Sequence, residues 1–499
     1  MNYGLLFRTV KHLKPIQVFY QVKYRLKKPA YVAYDSSKFQ VSGFKTEPIP
    51  KYKSVEGNTF TFLNLEHEFA GWNFTGNGML WAYNQNYFDW INQECFTVEE
   101  GCKWIDKFIA EVKGGFPMDP YPIALRSINW VKFFCRHPES ATKSRLDSLY
   151  SQIKLLAKKL EYHLLGNHLL EDAYALYVCA CYFGDEKLLK KASKLLKGQL
   201  EEQILPDGAH YEQSPMYHCI LLDRLLDCIN IGLTSNDADF TDKLKVYAES
   251  MLGHLESVKW GVGDIPMLND SANGIAPITS QLFLYAKRLG LKWQKMPMKE
   301  SGYRKMIAGA YEAIVDVGNI TATYQPGHTH ADALNYELRI EGKPFVVDCG
   351  ISTYNKTQRR QYERSTIAHN CVSPNEKNSS EAWGGFRVGK RAKVILEHVF
   401  PQINHESPLI ISATHNGYTK PCKRQFTMEK DKFIVEDWYD GVGVSYVHIA
   451  EGTDEKRVKV EGETNVEVKP WKYSTEYNRF KEGKEIKITF KNYLKFTIQ

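Results

Sequence analysis

No apolar run in the 499 residues reaches the roughly 18–20 that a bilayer-crossing helix needs, so no helix of this chain is expected to span a membrane. The start, Met1-Asn-Tyr-Gly-Leu-Leu-Phe-Arg8, carries its charge after the apolar residues and offers no small-residue cleavage site. It does not read as a secretory signal. The expected location is therefore the cytoplasm, or the periplasm or exterior if a leader has been trimmed away. A disulfide framework is also missing: the ten Cys are mostly scattered singly, with Cys179 and Cys181 in an apolar helical run, and are expected as buried free thiols. No nucleic-acid motif accompanies the basic residues, so nucleic acid is not an expected partner. No internal repeat is visible.

Aromatic residues are abundant. Thirty Tyr, 25 Phe and 10 Trp make 13% of the chain, more than cores usually take, and a carbohydrate cleft would use such planes against the C–H faces of sugar rings. The net charge of +7 is unevenly spread: up to Lys53 the balance is +9, which leaves −2 for everything beyond. That basic, amphipathic stretch suits a membrane surface or an acidic polymer. It equally suits a solvated helix packed on the body through Leu5, Leu6, Phe7, Val10 and Leu13.

The length exceeds a typical single domain. From about residue 85 to 300 the pattern is helical, with period-3.6 apolar faces at Ile123–Phe134, Ser148–Leu160, Lys187–Leu196, Tyr217–Ile231 and Phe240–Val258. Helices in series without strands mean a bundle, a solenoid or an α/α toroid. From Tyr311 the pattern changes to short alternating runs that predict an antiparallel β-sandwich. The expected division is a basic segment at 1–55, a helical domain at 56–300 and a β domain at 301–499. A site between the last two is the natural expectation.

Three polar constellations stand out. Gly327-His328-Thr-His330-Ala-Asp332 reads as part of a strand, on which His328 and His330 face one space. With Asp348 and His369 following, imidazoles and a carboxylate form a ligand set suited to zinc. Isolated strand histidines also serve as plain sheet residues. In the second, Asn167, His168, Glu171 and Asp172 open a helix, either as an Asn cap with first-turn carboxylates or as a functional group. In the third, His210, Tyr211, Glu212, Tyr217 and His218 crowd around Ser214-Pro215, a cap with Pro at the first helical position. Arg126, Asn129 and the Trp81/Tyr83/Tyr87/Trp90 group are expected to line the same cleft.

In order, Asn167-His168-x-x-Glu171, Glu212-x-Ser-Pro-Met-Tyr217-His218, Gly263-Asp-Ile-Pro-Met-Leu-Asn269-Asp270, Gly327-His328-x-His330-Ala-Asp332, Val347-Asp348-x-Gly350, Arg364-Ser-Thr-x-Ala-His369-Asn370 and Glu381-x-Trp383-Gly-Gly-Phe resemble the heparinase II/III family of polysaccharide lyases. The resemblance implies an α/α toroid followed by an antiparallel β-sandwich. It implies β-elimination on a polysaccharide containing uronic acid, with the carboxylate neutralised, the C5 proton removed and O4 protonated. By motif position, Asn167 is the expected neutraliser with His168 or a protonated Glu171 assisting, Tyr217 the acid at O4 and His328 a base at C5. Tyr217 is an alternative base if positive charge lowers its pKa. Arg126, Asn129, Glu171, Glu212, Asn269 and Arg364 are expected to bind substrate. His330, Asp348 and His369 are expected to hold one Zn2+ of mainly structural use. Two other functions fit the same residues. One is a non-catalytic polysaccharide-binding protein of exopolysaccharide or capsule metabolism; the other is a zinc-dependent glycan hydrolase.

Overall fold

The computed structural model describes residues 3–26, 29–235, 237–400 and 407–499. Lys27 and Lys28 of the basic stretch lie outside the described residues. Two helices, Tyr3–Val10 and Pro15–Leu26, precede a long irregular segment and a small sheet of Val55–Glu56, Thr59–Phe62 and Leu65–Glu68.

The helical domain is built in two shells. Pro120–Arg136, Gly166–Phe183 and Pro215–Gly232 pack side by side and are buried along nearly their whole length. Polar residues such as Arg126, Glu171 and Asp227 are therefore buried along with the apolar faces. Lys143–Leu156, Glu186–Gln203 and Ala238–Val258 pack outside them and are buried over a smaller share of their length. The inner helices start at the same end of the domain. Ser214 caps the last of them, accepting from the Tyr217 N–H with Pro215 at the first position, as its sequence predicts. Gly166–Phe183 differs from expectation. Asn167 is not its cap; the preceding Leu165 holds that place without a side-chain bond, and Asn167 lies in the first turn.

The last helix of the helical domain ends at Arg288 and the first strand of the large sheet begins at Tyr303. Among the described residues the large sheet has eleven antiparallel strands, two of which, Phe433–Ile449 and Arg479–Ile498, are long and connect the others. Their register shifts between Tyr439 and Val442. Before that shift Phe433–Ile449 pairs with Cys422–Met428, and at its far end Ile449 pairs with Val346. The long strands thus run from one layer of the sandwich into the other. Both layers share one core, in which Met306, Leu338 and Val346 meet Ile411, Phe426 and Phe433.

Candidate active site

Gly327-His328-Thr-His330 is not a strand. It belongs to the loop joining Tyr311–Asp316 to Tyr336–Ile340. Asn269 and Arg364 hold that loop in place. Asn269 Oδ1 accepts from the His330 N–H (3.0 Å), while Arg364 donates to the Thr329 carbonyl through Nε and Nη2 (3.2 and 2.8 Å). The Asn269 amide spends its N–H groups on the Gln213 carbonyl and the Tyr303 hydroxyl. Both residues are buried, so their observed work is to shape the loop rather than to present donors to a ligand.

Thus held, His328 reaches the helical domain. Its ring stacks on Tyr217 with centroids 3.8 Å apart and planes 20° apart. Its Nδ1 lies 2.6 Å from Glu212 Oε2. Glu212 in turn accepts from the Asn167 backbone N–H (2.7 Å) and from the Asn167 amide (3.1 and 3.2 Å). Gly166 makes this approach possible: it has φ +62°, and a Cβ there would sit 2.6 Å from Glu212 Oε1. Burial opposes the charge on Glu212, yet His328, His210 and the Asn167 N–H hold its pKa down at about 2.

The Tyr217 hydroxyl lies 3.3 Å from that of Tyr354, and burial pushes its pKa well above the ordinary phenol value. Burial thus works in the opposite direction to the lowered pKa that a Tyr217 base would need. Beside it, His168 Nδ1 meets Glu161 Oε2 at 3.1 Å, and its ring lies 4.7 Å from that of Tyr121. Burial works against its charge, but Glu161 outweighs burial and raises its pKa. Tyr121, His168 and Tyr217 stand in the first turns of the three inner helices, so three N-terminal dipole ends converge here.

Other expected lining residues are engaged elsewhere. Arg126 is fully buried and donates to Gln152 Oε1 and to the carbonyls of Asn86 and Pro117. Asn129 bonds the Tyr87 carbonyl. Trp81 and Trp90 are core residues, whereas Tyr83 and Tyr87 belong to an aromatic run that leads through Tyr121 to His168. His210 and His218 are buried, bonded to Gln203 Oε1 and the Met251 carbonyl; burial lowers both pKa values, to about 4 for His210. Glu171 is fully buried with Arg224 3.8 Å away, and burial raises its pKa to about 7.

Sequence reasoning left out Tyr354, Arg360 and Asp270. Asp270 receives a bidentate pair from Arg360 (2.5 and 2.7 Å) and contacts His330 Nε2 (2.7 Å). Asp270 stood inside a quoted motif. Tyr354 and Arg360 had no pattern to mark them.

Asp348, Cys349 and His369 form a buried group whose donor atoms lie within 4.8 Å of one another and can hold a metal ion. His369 Nδ1 is 2.7 Å from Asp348 Oδ2. Compared with the expected ligands, this group includes Cys349, with His330 at its side, the rings of His330 and His369 being 5.1 Å apart. His330 Nδ1 and His369 Nε2 are buried without hydrogen-bond partners among the described residues. A carboxylate, a thiol and an imidazole with an orphaned nitrogen form a donor set that fits a divalent cation.

The sequence profile described as "Heparinase II/III N-terminus" matches residues 127–293, and "Heparinase II/III-like, C-terminal" matches 292–450. The chain belongs to the heparinase II/III family. A curated relative, the heparin-sulfate lyase of Pedobacter heparinus, is 23% identical over 263 residues, 47% of this chain. The match spans 39% of that relative's length. In fold, this heparinase II/III member is similar to the crystal structure of heparinase III, with a TM-score of 0.62 and 16% identity over 84% of this chain and 76% of that one. It is likewise similar to a heparan sulfate lyase of Pedobacter heparinus, with a TM-score of 0.61 and 15% identity over 97% and 87%. These likenesses establish a helical toroid followed by an antiparallel β domain.

Proposed function

We propose that this chain is a polysaccharide lyase that cleaves a uronic-acid polymer by β-elimination. The observation that carries the reading is the stacked pair of Tyr217 and His328, with Glu212 on the Nδ1 side of the imidazole. With Nδ1 facing a carboxylate, Nε2 is the nitrogen left to take the C5 proton. The C–H electron pair becomes the C4=C5 double bond, the C4–O4 bond breaks, and the Tyr217 hydroxyl gives its proton to O4. Both groups return to their starting protonation by exchange with solvent.

Removing a proton next to a carboxylate requires that its charge be met first. His168, kept protonated to higher pH by Glu161, is suited to this, with Asn167 beside it in the same first turn. The three helix N-termini favour the same anion. Acidic polysaccharides named for the relatives support the substrate class. Zinc is the proposed metal, held by Asp348 and His369 with Cys349 or His330. When bound it would supply a fixed charge that pins the loop carrying His328. Incubating the protein with uronic-acid polymers and following ultraviolet absorbance of the unsaturated product tests the reading. Chain cleavage without absorbance would sink it and favour hydrolysis.

A further inference from the structure

The first two helices pack Leu5, Leu6 and Tyr20 partly against the body but leave most of their large apolar side chains in solvent. Their inner sides are fastened to both halves of the molecule. Arg8 makes a two-bond pair with Glu381, and Trp383 Nε1 donates to Thr9 Oγ1 (3.0 Å). Gln17 and Tyr24 donate to the carbonyls of Leu164 (3.0 Å) and Leu160 (2.8 Å). Outward, however, stand Tyr3, Phe7, Ile16, Phe19, Val22 and Leu26, with Phe7 71%, Phe19 61% and Leu26 83% exposed. Of the residues on these two helices only Gln17 is buried. Large apolar side chains at helical spacing on an exposed face mark a contact surface.

Charge narrows the choice of partner. Residues 3–26 contain five Lys/Arg and no Asp or Glu. Arg8 and Lys14 are used by Glu381 and Glu202; Lys11, Lys23 and Arg25 have no carboxylate partner among the described residues. A second copy of the chain would bring these like charges together. An acidic sugar polymer would use the cations and has no use for Val22 and Leu26. A phospholipid surface with anionic headgroups satisfies both features, aliphatic side chains entering the acyl boundary and cations staying among the headgroups. We propose that the helices Tyr3–Val10 and Pro15–Leu26 dock the protein on an anionic lipid membrane surface, independently of the reaction in the cleft.

Flotation of the full chain with vesicles tests this, using phosphatidylcholine alone and phosphatidylcholine with about 30% phosphatidylglycerol. Wild type should float with the anionic vesicles only, and less so as salt is raised. Phe7→Asp/Phe19→Asp/Leu26→Asp and, separately, Lys23→Glu/Arg25→Glu should each lower the bound fraction on the order of ten-fold. Both sets alter exposed side chains, so circular dichroism and activity on soluble polymer should match wild type. Absence of wild-type flotation overturns the proposal, as does flotation that both variants retain. A concentration-dependent dimer or retention on an acidic polysaccharide gel, without vesicle binding, overturns it in favour of that other partner.

Discussion

Tyr217 and His328 come from opposite domains and stack face to face, 3.8 Å between ring centroids. Neither domain alone contains the pair. The helix Pro215–Gly232 supplies the phenol from its first turn, and a β-domain loop supplies the imidazole. Whatever fixes the two domains against each other therefore fixes the geometry of this pair.

Tyr217→Phe removes the proposed acid while keeping the stack. Among the described residues the hydroxyl bonds only that of Tyr354, at 3.3 Å, so folding should be little affected. Turnover of a uronic-acid polymer, read as absorbance growth, should fall by roughly 10²- to 10⁴-fold. His328→Ala should fall as far. A variant of either kind within three-fold of wild type would remove that residue from the chemistry.

Glu171 predicts a pH dependence of stability. Burial raises its pKa to about 7 in the folded chain, above the ordinary carboxyl value near 4.5. The folded state thus binds more protons than the unfolded state between those two values. The stabilising contribution is full below about pH 4.5 and is lost as pH rises through 7. The difference is of order 3 kcal/mol. Denaturant midpoints should show it: Glu171→Gln should flatten the decline between pH 4.5 and 7 seen in wild type. An unchanged slope would mean that Glu171 is ionised in the folded chain.

Much of the helical domain was legible because amphipathic period and capping act locally. Ser214 with Pro215 fixes a helix start by hydrogen bonding within four residues. The β domain was legible as a class, but its long connecting strands were not, since nothing local marks where Phe433–Ile449 passes between layers. Short motifs singled out Asn167, Tyr217 and His328, which the structure brings together around Glu212. Arg364 and Asn269 were misread because a polar residue in a motif looks the same whether it meets a ligand or a backbone carbonyl. Crowding misled at His210 and His218, both of which have ordinary buried partners. Tyr354 was invisible since its role depends on tertiary placement beside Tyr217.

Metal removal should separate structure from chemistry. Purified protein should carry about one zinc per chain by elemental analysis, and stripping it should lower the thermal midpoint by several degrees. His369→Ala should lose the metal. Cys349→Ser and His330→Ala decide which of the two completes the ligand set, since only the true ligand's loss should reduce zinc content markedly. Zinc-free protein that retains part of its eliminating activity would agree with a pinning role; complete and immediate loss, restored by zinc, would place the metal in the reaction.

Gly166→Ala tests whether the site depends on the close approach of Glu212. The new Cβ would sit 2.6 Å from Glu212 Oε1, at a residue with φ +62°. The left-handed conformation costs an alanine about 1 kcal/mol, and displacing a buried carboxylate adds to it. Because Glu212 bridges Asn167 to His328, its displacement should also disturb the imidazole. Glu212→Gln supplies the control, keeping the shape at position 212 while removing the charge. Both variants should lose activity on the order of 10²-fold, Gly166→Ala with a lower unfolding midpoint. An active Gly166→Ala of normal midpoint would mean that the loop carrying His328 relaxes freely and that Glu212 does not orient it.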